Sequence, residues 1–257
     1  MSTSVHPTAL VDPTAELGTN VAIGPYSVIE ANVILGDNTA IGNHVTVCEN
    51  TTIGQDCRIF HSSSIGEIPQ DLKFGGEKTK TVVGDKTTIR ECVTVNRGTN
   101  ALGVTQIGSD CLLMASVHVA HDCIVGDHVI MANMATLGGH VEIGDWASLG
   151  GGVLVHQFCR IGVHAFIGGG FRAVQDVPPF ILAAGEPLSF GGINKIGLKR
   201  RGFSKEEQKT IKYLYQLFFR SELNRNEAFK KIESEIESSQ YKDQILEFIH
   251  SSERGII

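Results

Sequence analysis

Aliphatic residues recur at every sixth position through the first two-thirds of this chain, beginning at Val5. Of the 29 positions in this register between residues 5 and 173, 25 hold Val, Ile, Leu or Met. The exceptions are Asp71, Glu77, Ala101 and Ala173. Neither an α-helix, with about 3.6 residues per turn, nor an isolated strand, with a period of two, produces a period of six. The pattern therefore predicts a stack of short repeated units.

A short fixed period is typical of a parallel β-helix, in which each hexapeptide contributes one short strand and one turn. Three hexapeptides would close a triangular coil of about 18 residues, and the repeated aliphatic residue would point inward. A single coil cannot bury its aliphatic face, but stacked coils can. Fourteen of the repeat positions are followed directly by Gly. We expect these glycines to supply positive φ angles at the turns.

Changes in sequence texture divide the chain into a β-helix over residues 1–188 and a helical domain over 189–257. The β-helix has two loop excursions, near 67–81 and 99–106, where the aliphatic repeat is lost. Loops on a rigid scaffold often carry binding residues. Beyond the Val177-Pro178-Pro179 segment, which suits the end of a last coil, Ser204-Lys205-Glu206-Glu207 is a capping box that predicts the start of a helix.

Composition excludes several functional classes. The chain has 257 residues and a net charge of −6, so it lacks the basic surface typical of nucleic-acid binding. It has no apolar run long enough for a membrane span, and residues 1–7 do not resemble a signal peptide. Six cysteines occur without a CxxC pair, which favours a reducing, cytoplasmic compartment.

The 18-residue coil would stack chemically useful residues above one another. His121, Gly139 and Gln157 are spaced by 18, as are Asp122 and His140. Stacked residues in such a helix lie about 4.8 Å apart. We therefore expect these residues, together with His156, to form one outward-facing patch.

This patch has the components of an acyl-transfer site. His121 would act as a general base, because imidazole titrates near neutral pH. Asp122 would orient the ring and stabilise its protonated form. The backbone N–H of Gly139, one coil further on, would stabilise an oxyanion. The competing interpretation is a group of ordinary surface polar residues.

Two other chemistries compete with this assignment. His118 and His121 lie on either side of a turn, and they could converge on a zinc-like ion. Cys123 could be a nucleophile, but it occupies an inward-facing small position, which indicates core packing. The basic cluster Lys199-Arg200-Arg201 suits a phosphate-bearing ligand, or else it is a solvated turn.

Several motifs resemble those of one family. They are Pro69-Gln70-Asp71-Leu72-Lys73, His118-Val119-Ala120-His121-Asp122-Cys123, Val155-His156-Gln157-Phe158-Cys159, Gln175-Asp176-Val177-Pro178-Pro179, Gly197-Leu198-Lys199-Arg200-Arg201-Gly202-Phe203-Ser204 and Ser252-Glu253-Arg254-Gly255. Together they resemble the UDP-N-acetylglucosamine acyltransferases that start lipid A biosynthesis. The resemblance covers nearly the whole chain.

This resemblance implies a left-handed parallel β-helix with a small α-helical C-terminal domain, assembled as a homotrimer with active sites between subunits. It implies transfer of an (R)-3-hydroxyacyl group from acyl carrier protein to the 3-hydroxyl of UDP-N-acetylglucosamine. It implies no cofactor, because the carrier protein brings the acyl group on its own phosphopantetheine.

The resemblance also assigns individual residues. It implies that His121 is the general base, Asp122 its orienting partner and Gly139 the oxyanion donor. It places Gly169 where the acyl chain length is set. The remaining residues assigned to substrate binding are Gln70, Asp71, Lys73, Asn96, His118, His140, His156, Gln157, Asn194, Arg200 and Arg201.

One departure from the family pattern concerns Asn96. Members of the family often have a histidine at this position, in a T-I-H-R-G-T segment that reads Thr94-Val95-Asn96-Arg97-Gly98-Thr99 here. The acceptor could therefore be UDP-N-acetylglucosamine or its 3-amino analogue. Two further classes remain open: a related N-acyltransferase or acetyl-CoA-dependent acetyltransferase, and a metal enzyme of the carbonic anhydrase type. The helical tail favours the O-acyltransferase.

Overall fold

The computed structural model describes residues 3–257, and within them it contains 28 strands followed by four helices. Most strands are only two residues long because each coil spends two-thirds of its length on turns. In chain order the strands are β1 (Ser4–Val5), β2 (Leu10–Val11), β3 (Glu16–Leu17), β4 (Ala22–Ile23), β5 (Val28–Ile29), β6 (Ile34–Leu35), β7 (Ala40–Ile41), β8 (Thr46–Val47), β9 (Thr51–Ile53), β10 (Arg58–Ile59), β11 (Ser64–Glu67), β12 (Lys80–Val83), β13 (Thr88–Ile89), β14 (Thr94–Asn96), β15 (Val104–Ile107), β16 (Leu112–Leu113), β17 (His118–Val119), β18 (Ile124–Val125), β19 (Ile130–Met131), β20 (Thr136–Leu137), β21 (Glu142–Ile143), β22 (Ser148–Leu149), β23 (Leu154–Val155), β24 (Arg160–Ile161), β25 (Phe166–Ile167), β26 (Arg172–Ala173), β27 (Ile181–Ala184) and β28 (Ser189–Ile193).

Successive strands belong to three different parallel sheets, which form the three walls of a prism. The first sheet begins with β1 and β4, the second with β2 and β5, and the third contains β3 and β6. His118 pairs with Thr136 and Val119 with Leu137, in a parallel register of 18 residues. The predicted coil length is therefore confirmed.

The two excursions are loops that leave the prism and return in register. Ile59 pairs with Ile89, and Ile89 pairs with Leu113, instead of with residues 18 positions away. The extra lengths are 12 and 6 residues, whole multiples of the hexapeptide. They lie between β11 and β12 and between β14 and β15, which explains why the phase of the repeat survives both loops.

The repeated aliphatic residues form the continuous core of the prism. Ile53, Ile89 and Leu137 are each 0% exposed, and the small residues between them are buried as well. Full burial of such a side chain contributes about 1.5–3 kcal/mol. Cys123 is also fully buried and is a free thiol, which confirms its predicted place in the core.

The prediction that the glycines following the repeat have positive φ is confirmed for Gly66 (φ 90°) and is wrong for the other thirteen. After those thirteen glycines, positive φ occurs two positions later, mostly on non-glycine residues such as Asn38 and Trp146. Gly138 and Gly150 are required for a different reason: a β-carbon there would lie 2.8 Å from the Gln157 nitrogen and 2.4 Å from the Gly169 nitrogen. The glycines therefore permit close stacking of adjacent coils.

Four helices follow the prism and pack on its end. They are α1 (Lys195–Arg200), α2 (Lys205–Arg220), α3 (Arg225–Glu235) and α4 (Gln240–His250). The Ser204 capping box is present, as predicted. The buried Tyr215 of α2 donates a hydrogen bond to the Pro179 carbonyl, 2.7 Å away, which fixes α2 against the last coil.

The predicted boundary at 188/189 falls in the antiparallel hairpin between β27 and β28. Because β28 still pairs with β27 in the first sheet, the helices begin a few residues later, at Lys195. Among residues 3–257, no helix is both long and apolar enough to cross a membrane.

Candidate active site

The predicted patch lies at one edge of the prism, where the second sheet turns into the third. We call this edge the His121 corner; its turns comprise residues 120–123, 138–141 and 156–159. The His140 N–H donates to the His121 carbonyl (3.1 Å), and the Phe158 N–H donates to the Gly139 carbonyl (3.1 Å). These bonds stack three coils directly, so residues distant in sequence meet at one surface.

His121 and Asp122 form the central pair of this corner. Nδ1 of His121 lies 2.8 Å from Oδ2 of Asp122. The Asp122 side chain is 0% exposed, whereas that of His121 is 16% exposed. Because the carboxylate only accepts, Nδ1 carries the proton and Nε2 of His121 presents a lone pair. This is the arrangement expected of an oriented general base.

Asp122 is fixed by the loop between β14 and β15, a contact that the sequence did not reveal. Its carboxylate accepts hydrogen bonds from the Thr99 N–H (2.9 Å), the Thr99 hydroxyl (2.7 Å) and the Leu102 N–H (3.2 Å). Burial by itself raises the pKa of Asp122, but the bonds from Thr99 and His121 outweigh it and leave that pKa lowered. The carboxylate is therefore ionised.

Gly139 lies directly beneath the His121 ring. A β-carbon on Gly139 would be 2.6 Å from Cε1 and 2.7 Å from Nε2 of that ring, so only glycine permits this position of the base. At the equivalent slot of a neighbouring corner, the N–H of Asp127 donates to the Asp145 side chain one coil further on. At Gly139 the residue one coil further on is Gln157, and among the described residues no acceptor pairs with the Gly139 N–H.

His140 completes the wall next to Asp122. Its ring stacks on Phe158, with 4.6 Å between centroids, and meets His121 edge-on at 5.2 Å. Burial lowers the pKa of His140, and the opposing effect of the Asp122 carboxylate is smaller. The neutral ring therefore suits a role in ligand contact.

A metal ion remains a competing occupant of this corner. His121, Asp122 and His140 each offer one ligand atom, and these atoms lie within 4.8 Å of one another. His118, which the sequence paired with His121 for this purpose, is not part of the group. Its Nδ1 lies 2.8 Å from the Thr94 hydroxyl, and burial lowers its pKa.

His156 and Gln157 lie one coil beyond Gly139 and are both exposed. Nδ1 of His156 lies 3.0 Å from the Gln157 carbonyl oxygen and 3.1 Å from Nη2 of Arg254. Arg254 comes from the segment after α4. The sequence contained this arginine within a family motif but gave no signal that it would reach the corner.

The loop between β11 and β12 carries three predicted site residues. Gln70 and Lys73 are exposed and Asp71 is half-buried, so their side chains are available to a ligand. Asn96 lies at the base of this loop, 3% exposed, and donates a hydrogen bond to the Ile68 carbonyl at 2.9 Å. Within this chain Asn96 therefore supports the loop.

Other predicted residues lie at different edges of the prism. Gly169 is exposed where the first sheet turns into the second. Asn194 is 7% exposed and caps α1 by accepting from the Gly197 N–H. Arg200 is exposed on the last turn of α1. One chain therefore does not bring Gly169, Asn194 or Arg200 to the His121 corner.

Arg201 lies at the edge where the third sheet turns into the first, which we call the Trp146 corner (residues 126–129, 144–147 and 162–165). Its guanidinium lies 5.1 Å from the centre of the Trp146 ring and 3.5 Å from Nδ1 of His164. Burial, and then the nearby Arg201, lower the pKa of His164 to about 4.

Comparison with known proteins gives consistent matches along the chain. Residues 176–257 match the family model for UDP-N-acetylglucosamine O-acyltransferase domain 2, and residues 105–139 match the model for six hexapeptide repeats of bacterial transferases. Residues 1–101 match the model for the GMPPB C-terminal domain. The acyl-[acyl-carrier-protein]–UDP-N-acetylglucosamine O-acyltransferase of Janthinobacterium sp. (strain Marseille) is 50% identical over 98% of both chains.

Solved structures give the same result. A UDP-N-acetylglucosamine acyltransferase from Bacteroides fragilis is 44% identical with a TM-score of 0.96, covering 98% of this chain and 99% of that one. The enzyme from Francisella novicida is 40% identical with a TM-score of 0.95, over 98% and 93% of the two chains. The predicted left-handed parallel β-helix with a helical C-terminal part is confirmed.

Proposed function

Because this chain belongs to the UDP-N-acetylglucosamine O-acyltransferase family, we propose that it transfers an (R)-3-hydroxyacyl group from acyl carrier protein to the 3-hydroxyl of UDP-N-acetylglucosamine. This would be the first step of lipid A biosynthesis. The observation that carries the proposal is the geometry of His121, which is paired with the buried Asp122 on one side and lies against Gly139 on the other.

The transfer requires no acyl-enzyme intermediate. Nε2 of His121 takes the proton of the sugar hydroxyl as its oxygen attacks the thioester carbonyl. The oxyanion of the tetrahedral intermediate accepts the Gly139 N–H. The C–S bond then breaks, and the departing thiol takes the proton back from His121, so that protons and charges balance. Asp122 stabilises the imidazolium between these two steps.

The separation of the His121 and Trp146 corners supports a homotrimer with sites between subunits. In such an assembly the Trp146 corner of one subunit would face the His121 corner of the next. Arg201 would then contribute its positive charge to the diphosphate of the acceptor, and Asn194 and Arg200 would lie beside it. No cofactor is required in this scheme, and a cytoplasmic location suits a carrier-protein donor.

The acceptor is the less constrained substrate, because Asn96 stands where the family often has a histidine. In this chain its amide holds the backbone of the loop that carries Gln70, Asp71 and Lys73. An altered loop base would change how the sugar ring is held at its 3-position. The 3-amino analogue is therefore the second candidate acceptor.

The experiment is a transfer assay with purified protein. Donors are (R)-3-hydroxyacyl carrier proteins of several chain lengths and acetyl-CoA, and acceptors are UDP-N-acetylglucosamine and its 3-amino analogue. We expect transfer from the carrier protein to the 3-hydroxyl, without stimulation by added Zn²⁺. Turnover only with acetyl-CoA, or only with the amino sugar, would overturn the proposal, as would loss of activity on metal chelation.

A further inference from the structure

The segment after α4 folds back and adds a short extension to the last coil of the prism. Asp176 pairs with Ile256, the Asp176 N–H donates to the Gly255 carbonyl (2.9 Å), and the Ser252 hydroxyl donates to Oδ2 of Asp176 (2.7 Å). Arg225 of α3 donates to the Ile256 carbonyl at 2.6 Å. The segment is therefore held from both sides.

This anchoring brings Arg254 to the His121 corner. Nη2 of Arg254 donates to the Val174 carbonyl (3.2 Å) and lies 3.1 Å from Nδ1 of His156. Arg254 also lines a groove of about 750 Å³ whose walls include Asp122, His140 and Phe158. The guanidinium is thus in the same groove as Asp122 and His140, although it comes from the far end of the described chain.

The contact between Arg254 and His156 restricts how the imidazole is protonated. A guanidinium has donors only, so the bond to Nδ1 of His156 requires an unprotonated Nδ1, and the ring proton must be on Nε2. The Gln157 carbonyl oxygen, 3.0 Å from the same Nδ1, favours the opposite tautomer, in which Nδ1 carries the proton. Only one of these arrangements is possible at a time.

We propose that Arg254 is a positioning residue that holds His156 in the Nε2–H tautomer, so that the ring presents a hydrogen-bond donor to an oxygen of the sugar-nucleotide acceptor. This inference rests on the proposed function. Without Arg254, Nδ1 of His156 carries the proton and donates it in a hydrogen bond to the Gln157 carbonyl. Nε2 of His156 is then a hydrogen-bond acceptor and repels the same ligand oxygen. The tautomer, rather than the mere presence of His156, then sets acceptor affinity.

The first test is the ¹⁵N NMR spectrum of His156 in the full-length wild-type protein and in Arg254→Met. We expect Nε2–H in the wild type and a shift toward Nδ1–H in the variant. A wild-type His156 that is already in the Nδ1–H form would overturn the proposal, whatever the fold of the variant. Arg254→Lys, which retains a cationic donor, should keep the wild-type tautomer.

The second test uses kinetics with a double-mutant cycle. Arg254→Met should raise KM for the UDP-sugar about tenfold with kcat little changed, the effect of one lost hydrogen bond in the ground and transition states alike. His156→Gln supplies an amide donor near the Nε2 position that needs no tautomer, so Arg254→Met should have no further effect in that background. The matched control is Arg58→Met, an exposed arginine of the first sheet.

The outcomes separate the two proposals. If the wild type does not acylate the UDP-sugar, the proposed function fails and the kinetic test does not apply, whereas the NMR test still does. If the wild type is active but Arg254→Met leaves KM unchanged, or raises it equally in the His156→Gln background, Arg254 does not act through His156 and the inference is wrong.

Discussion

The imidazole of His121 lies against the α-carbon of Gly139, and a β-carbon at Gly139 would be 2.6 Å from Cε1 of the ring. This relationship joins two functions in one contact. The glycine permits the base to lie where it does, and among residues 3–257 its N–H pairs with no acceptor. The position of the base and the oxyanion donor therefore depend on the same stacking of two coils.

His121→Ala should abolish most turnover while leaving the fold intact, because the side chain lies on the outer surface of the corner. General-base assistance is worth about 10²–10⁴-fold in rate, and we expect kcat to fall within that range. The measurement is steady-state turnover alongside thermal unfolding and circular dichroism. Near-wild-type turnover in a folded variant would show that another group removes the proton.

Gly139→Ala should displace the His121 ring and reduce kcat by roughly 10²-fold or more, since a misplaced general base loses most of its effect. Gly151→Ala is the matched control. It occupies the same slot of its hexapeptide at another corner, where a β-carbon would have only the Asn133 carbonyl oxygen nearby, at 3.3 Å. Equal losses in the two variants would mean that general coil distortion, not His121, is responsible.

Thr99→Val removes the hydroxyl bond to Asp122 and keeps the backbone N–H bond. The loss of about 1 kcal/mol should reduce kcat about fivefold. It should also raise the pKa of Asp122, because a bond to the charged form is lost, and an NMR titration of the Asp122 carboxylate measures this change. Thr52→Val, in an outward position of the third sheet, should change neither kcat nor this pKa; an unchanged Asp122 pKa in Thr99→Val would refute the anchoring role.

His164 should make the free energy of unfolding depend on pH, with the protein less stable at acidic pH. Its pKa of about 4 in the folded state lies below the unfolded value of about 6.5, so the folded state disfavours the charged ring. This contribution to stability is fully present above pH ~6.5 and is lost as the pH falls from ~6.5 toward ~4. The measurement is the free energy of unfolding across this range.

Arg201→Met should raise the pKa of His164 because it removes a nearby positive charge, and burial should still keep that pKa below 6.5. An NMR titration of the His164 ring measures this directly, with Arg58→Met as the control. The stability of Arg201→Met should depend less steeply on pH between ~6.5 and ~4. A His164 pKa that does not move would mean that burial alone sets it.

Mixing two inactive variants tests the assembly. If active sites lie between subunits, a His121→Ala subunit beside an Arg201→Ala subunit forms sites in which both residues are intact. Random assembly from equal amounts of the two variants would leave about one quarter of all sites complete. The measurement is acyl transfer after co-expression, at UDP-sugar concentrations where Arg201→Ala alone is nearly inactive. No recovery in verified mixed trimers would refute shared sites.

The six-residue period was sufficient to predict the prism and the neighbours of His121. Each hexapeptide has a fixed length along the coil, so a residue's number determines both the wall it occupies and its height. The 18-residue spacing therefore predicted that Asp122, Gly139 and His140 would lie close to His121. Because the two loops add 12 and 6 residues, both multiples of six, the register of the repeat is the same before and after each loop.

Contacts between the repeat and segments outside it could be seen only in the tertiary structure. The bond from Thr99 to Asp122, the reach of Arg254 to His156 and the placement of Arg201 on Trp146 each join a loop or the helical tail to the prism. Such segments have no period, and their path depends on side-chain packing and hydrogen bonding with a surface that exists only after the coils have stacked. The repeat thus determined which residues face one another on the walls, and the folded chain determined which outside groups hold them there.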